Sequence, residues 1–317
     1  MTNKQTANES EVSGLEPGTS VINLEKGRRA FLQTLGLGLA GTAILGATGT
    51  SAQAQVAPDV TDADIVNFAL NLEYLEAEFY LNAVNGSGLK AGDIQGVGAV
   101  GAVNGGGRAV PFSDANVRRY AFEIAADEEA HVRTLRAALG SAAVSRPRLD
   151  IDFAFTAAAR AAGLIGPSDR FDAYANDNNF LLASFIFEDV GVTAYLGAAP
   201  LIRDKGILAA AASILAVEAY HAGIIRTTLF ARGLIAQADA ISNARDSLDG
   251  ASDLDQGIDG LQSATPGFNR GDANLVPTDR NGLAFARTPG QVLNIVYLNT
   301  TQSPGGFIPG GLNGRLR

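Results

Sequence analysis

Cysteine and tryptophan are absent from this 317-residue chain, and histidine occurs only twice. Without cysteine there can be no disulfide scaffold, thiolate zinc site, iron–sulfur cluster or cysteine nucleophile. Basic residues are also in deficit. Lys and Arg number 24 against 33 Asp and Glu, for a formal net charge of −9. Nucleic-acid binding needs a basic footprint over the phosphates, so that class is excluded. Charged residues make up 18% and hydrophobic ones 46%. That balance rules out general disorder and suffices for one well-filled core. Strand-type alternation of any length is missing too, which points to an all-α fold.

The first segment reads as an address, not as part of the fold. Gly27-Arg28-Arg29-Ala30-Phe31-Leu32-Gln33 opens a weakly hydrophobic run from Thr34 to about Thr50, ending in Ser51-Ala52-Gln53-Ala54-Gln55. A charged start, a moderate apolar stretch and a small-x-small site form an export signal. The paired arginines resemble a twin-arginine signal, with Gly27 and Gln33 departing from its usual residues. The run is glycine-rich and short of the ~18–20 strongly apolar residues of a membrane span. Residues 1–54 are therefore expected to be removed after Ala54, leaving a periplasmic or extracellular protein with no membrane attachment. No later segment reads as a transmembrane span.

Four long segments carry helical apolar spacing: about Asp62–Val84, a helix after Ser113 ending at Gly140, Asn176–Ala198, and Asp204–Arg232. Thr61 and Ser113 are suitable N-caps. Rods of about 35 Å result from such lengths at 1.5 Å per residue, which suits an antiparallel four-helix bundle over 55–236. Short helices are expected around Phe153–Ala162 and at Thr288-Pro289. From 237 to 317 the chain turns to Gly, Asn, Asp and Pro and reads as a loop-rich extension. Its Phe285, Val292, Ile295, Val296, Phe307 and Ile308 would pack it on the bundle.

Both histidines follow a glutamate at i+3: Glu128-Glu129-Ala130-His131 and Glu218-Ala219-Tyr220-His221. On a helix these pairs share a face and can bind one ion. Only eight glutamates follow residue 54, so two chance matches would arise in about one chain in a thousand. After His131 the only glutamates are Glu188 and Glu218. Glu188 lies between Phe187 and Asp189 in an apolar stretch, where an unpaired carboxylate costs several kcal/mol, so it should be protonated, paired or on a metal. Glu73 with Tyr80 and Glu188 with Tyr195 repeat one spacing, Glu-x6-Tyr. Each such helix precedes one ExxH helix. This order matches bundles that hold two metal ions between four glutamates and two histidines. Carboxylate and imidazole suit two divalent ions, iron or manganese. Glu76 shares a face with Glu73 and Tyr80 and is an alternative ligand, although the repeated tyrosine spacing favours Glu73. Tyr80 and Tyr195 are candidates to donate to ligand carboxylates or, equally, to be core tyrosines.

LEYLEAEFY at 72–80, the two ExxH motifs, NNFLLASFIFEDVGVTAYLGAAP at 178–200, and TPGQVLNIVYLN with GGFIPGGLNG in the tail resemble a ferritin-like domain family of exported bacterial proteins that includes the plant desiccation-related proteins. That resemblance implies a ferritin-like bundle, a stress or desiccation role, and ligand positions at Glu73, Glu128, His131, Glu188, Glu218 and His221. The glycine-rich insertion at 86–107 is longer than the connection needs and leaves access to the site open.

Two weaker patterns remain. Gly96-Val97-Gly98-Ala99-Val100-Gly101 spells GxGxxG without the strand–helix context a dinucleotide site requires. Asp246–Asp259 is acidic but lacks the EF-hand glycine and closing glutamate, so a solvated loop is the better reading. Three functions follow: a redox enzyme acting on O2 or peroxide (an oxidase, peroxidase or manganese-catalase-like activity), an iron-oxidising store, or a protective structural protein stapled by metal. Association into a homo-oligomer is compatible with each.

Overall fold

The computed structural model describes residues 60–316; the export signal expected at 1–54 lies outside them. Helix α1 (Asp62–Asn85) starts where Thr61 and Asp64 cap each other: Thr61 Oγ1 accepts from the Asp64 amide at 3.3 Å, and the Asp64 carboxylate accepts from the Thr61 amide at 2.9 Å. It stops at Gly86, whose φ of 69° suits glycine and lets its amide donate to the Asn82 carbonyl. Helix α2 (Ala115–Leu139) is capped by Asp114 rather than the expected Ser113, whose amide and hydroxyl instead donate to Asp177. Helix α3 (Phe153–Ala161) is short. Helices α4 (Asp177–Ala198) and α5 (Lys205–Ala231) are capped by Asn176 and Asp204.

Helices α1 and α4 are buried on nearly all sides, whereas α2 and α5 each bury one stripe. Position in the bundle follows from this pattern. The two apolar rods lie at the centre, α2 packs on α1 and α5 on α4, and neighbouring helices run antiparallel. By length and composition α4 and α5 each contain a window apolar enough to cross a membrane, contrary to the expectation from sequence. That window is 83% buried inside the protein in α4, as befits a core helix, but only 28% in α5.

The 86–107 insertion is ordered against the segment after α2. Val103–Asn104 (β1) pairs in parallel with Leu149–Asp150 (β2), and Val97 bridges to Val144. A Cβ at Gly96 would overlap the Ala143–Val144 backbone, and one at Gly101 the Pro147–Arg148 backbone. These glycines serve close backbone approach, not a phosphate loop.

The tail departs from its reading as loop. Ile235–Asp249 forms a further helix, α6, so position 237 falls inside a helix. The expected helix at Thr288-Pro289 is α7 (Pro289–Tyr297), with Thr288 and Gln291 as a capping box. Phe307 packs edge-on against Phe155 and Phe187, with centroids 5.0 and 4.9 Å away. The acidic 246–259 stretch is not solvated throughout. Asp249 and Asp255 are buried against arginines: Arg245 lies 2.7 Å and Arg287 2.8 Å from Asp255, and Arg287 lies 2.7 Å from Asp249. Asp189 of α4 joins them through Arg226 at 2.8 Å and Arg245 at 2.9 Å.

Candidate metal centre

Glu73 projects from α1, Glu128 and His131 from α2, Glu188 from α4, and Glu218 and His221 from α5. All six are buried at the middle of the bundle. They form two overlapping clusters, Glu73–Glu128–His131–Glu218 and Glu128–Glu188–Glu218–His221. Within each, one ligand-type atom per residue lies within 4.8 Å of the others. Glu128 and Glu218 belong to both. His131 Nδ1 is 3.3 Å from Glu73, 3.6 Å from Glu128 and 3.4 Å from Glu218. On the other side, His221 Nδ1 is 3.2 Å from Glu128 and 3.5 Å from Glu188.

The buried atoms left without a hydrogen bond identify what the cluster fits. They include Oε2 of Glu73, both oxygens of Glu128 and of Glu218, Oε2 of Glu188, and Nδ1 of each histidine. Orphaned buried polar atoms are costly, and these converge as four donors on each of two points. Four carboxylates and two neutral imidazoles balance two divalent cations, so these residues could hold metal ions of the harder first-row type.

The electrostatics of the metal-free chain agree. Burial, then the charge of Glu128, pushes the Glu73 carboxyl up to about 7. Burial also raises Glu188, and raises Glu218 well above the carboxylate range. Glu128 suffers the same burial, but His131 and His221 flank it and hold it at about 2. Burial alone would lower His221, yet Glu188 and Glu128 bring it up to about 12. Burial likewise opposes the charged form of His131, and Glu128, Glu218 and Glu73 outweigh it in the same upward sense. Protons thus occupy the site that cations would displace them from.

The tyrosines are crossed between repeats. Tyr80 on α1 donates to Glu188 on α4, and Tyr195 on α4 donates to Glu73 on α1. Antiparallel packing of α1 on α4 brings each Glu-x6-Tyr spacing against the other, so each phenol fixes the free oxygen of the partner helix's glutamate. Glu76 is buried at 5% exposure but belongs to neither cluster. Burial, then the charges of Glu218 and Glu128, raise its pKa well above the usual carboxylate range in the metal-free chain.

Two contributors escaped the sequence reading. Asp127 Oδ2 lies 3.1 Å from His221 Nε2, which leaves Nδ1 free of a proton to face the cluster once metal is bound. The equivalent position before Glu218 is Val217, so no repeat advertises it. Gly191 sits inside α4, where a Cβ would overlap Glu218 Oε2. A glycine in mid-helix was the available signal.

Residues 61–231 match the ferritin-like domain family. The chain is also similar to two plant proteins. One is a ferritin-like catalase of Nesocodon mauritianus, 29% identical over 81% of this chain and 85% of the relative. The other is a desiccation-related protein of Craterostigma plantagineum, 30% identical over 80% and 84%.

Proposed function

This chain belongs to the ferritin-like domain family, and from that premise we propose that it is an exported redox protein that handles O2 or peroxide at two iron or manganese ions. The observation that carries this reading is the sharing of Glu128 and Glu218 by the two clusters. Two redox-active ions held by these residues would supply a two-electron couple. Around them the chain does the positioning. Glu73 and Glu188, each in one cluster only, would each hold one ion, and each is steadied by the opposite repeat's tyrosine. Asp127 orients the His221 ring. Enclosure by α1 and α4 excludes bulk water, and Glu76 lies buried beside the shared carboxylates. The relative named as a catalase supports peroxide as the reactant.

A second reading, in which the metal only staples the bundle, is favoured by the relative named as desiccation-related. One set of measurements separates them. Protein isolated with its metal should contain two ions per chain and consume hydrogen peroxide or dioxygen. Replacing Glu128 and Glu218 together by Gln should empty the site and abolish consumption. Full metal occupancy in the double variant would overturn the ligand assignment. Two tightly held ions without turnover, and unfolding on chelation, would favour the staple.

A further inference from the structure

At the end of the bundle where α1 and α5 begin, the four long helices line a partly open cavity of about 50 Å³. Among its lining residues only Thr134 and Tyr195 carry a polar side-chain atom. Thr134 is exposed, and the Tyr195 hydroxyl is committed to Glu73. Tyr195 is therefore a partition, its ring against the cavity and its hydroxyl on a terminal carboxylate of the metal centre. Leu72, next to Glu73, and Leu135, one turn beyond His131, complete that wall.

The other end of the bundle shows that the space is not a requirement of the fold. There the corresponding tyrosine, Tyr80, is packed by Phe79 at 4.9 Å and Phe180 at 5.8 Å, with Phe112 behind at 5.2 Å from Phe180. Around Tyr195 the equivalent room is bordered by Ala69, Ala194, Ala198 and Ala211. A void forfeits dispersion contacts that a larger side chain would recover.

We infer that this cavity is a binding site for dioxygen, seated beside the Glu73–His131 half of the centre. Its size admits a diatomic molecule, since about 10–15 Å³ of space measured this way already holds one water. Its walls decide the chemical class. Water, and likewise hydrogen peroxide, would need several polar partners and would find none beyond the mouth, whereas apolar cavities take up neutral gases such as xenon. Dioxygen is the substrate of an oxidase and the product of peroxide disproportionation, so the site serves either direction. The link to redox chemistry rests on the function proposed above, but occupancy of the cavity does not require metal.

Xenon is the probe. The chelated full chain should show a saturable xenon response in NMR at Ala69, Ala194 and Ala211, and Ala211→Phe should abolish it. In metal-loaded, reduced protein, reoxidation at low dioxygen should slow about tenfold in that variant with metal content unchanged. Ala69→Leu provides a milder filling if Ala211→Phe does not fold. No saturable response in folded protein (zinc-loaded if chelation unfolds the chain), or a response that survives in a folded filled variant, would overturn the site. Xenon binding with unaltered reoxidation would overturn the dioxygen assignment. Xenon binding in a chain that takes up no metal would leave the cavity standing and defeat the redox function instead.

Discussion

Asp255→Ala should be among the most destabilising single changes in the tail. Three aspartates and three arginines meet there: Asp189, Asp249 and Asp255 with Arg226, Arg245 and Arg287. The Asp255 side chain is 2% exposed, and it accepts from Arg245 at 2.7 Å, Arg287 at 2.8 Å and Ser242 at 2.6 Å. Arg245 and Arg287 keep Asp189 and Asp249, at 2.9 and 2.7 Å, so neither is stripped. The cluster nevertheless becomes net positive inside the protein. Breaking one side of a buried ion pair costs about 3–5 kcal/mol. At about 2–4 °C per kcal/mol for a domain of this size, melting should fall by about 6–20 °C. Asp172→Ala is the control. That residue pairs with Arg108 at 39% and 51% side-chain exposure and accepts from the Tyr174 amide at 3.0 Å, so its loss should cost only about 1–2 kcal/mol. The assay is circular-dichroism melting of both variants and the parent at pH 7. Equal melting of the two variants would refute the claim that this network clamps α6 and the tail onto α4.

Lowering the pH should loosen the metal and tighten the empty chain. Glu73 is raised to about 7 and His221 to about 12 when folded, above their unfolded values, so the folded metal-free protein binds more protons. Stability of chelated protein should therefore rise as pH falls from 7 to 5, while metal retention on dialysis should decline; opposite slopes would contradict the proton-filled site. Gly191→Ala should cost metal occupancy, because its Cβ would overlap Glu218 Oε2, although the same exchange in an ordinary helix interior gains about 0.5–1 kcal/mol. Full occupancy by elemental analysis, with a raised melting point, would refute that role. Changing Arg28 and Arg29 to Lys should hold the precursor in the cytoplasm, and undiminished export by cell fractionation would exclude the twin-arginine route.

What the sequence determined by itself is local in origin. Thr61 and the Thr288-Pro289 pair mark helix starts because capping is decided within four residues, although at α2 the cap is Asp114 and not the neighbouring Ser113. Glu128 with His131 and Glu218 with His221 were legible because i and i+3 share a helical face. The scarcity of glutamate after His131 made Glu188 stand out, and the repeated Glu-x6-Tyr spacing favoured Glu73 over Glu76. Helix α6 was hidden because Ile235–Asp249 is largely polar, and only Ala238, Ile241, Ser242, Arg245 and Asp249 are buried in it. Its burial depends on arginine–aspartate pairs with residues up to 56 positions away.

Tertiary structure alone decided how the parts are shared. It made Glu128 and Glu218 common to both clusters, left Glu76 out, and crossed each tyrosine to the other repeat's glutamate. It also brought Asp127 to His221 and set Gly191 against the Glu218 carboxylate. Each of these contacts joins residues on different helices. A helix's own sequence sets which face a side chain occupies, but the antiparallel packing of four helices sets which opposing side chain it meets.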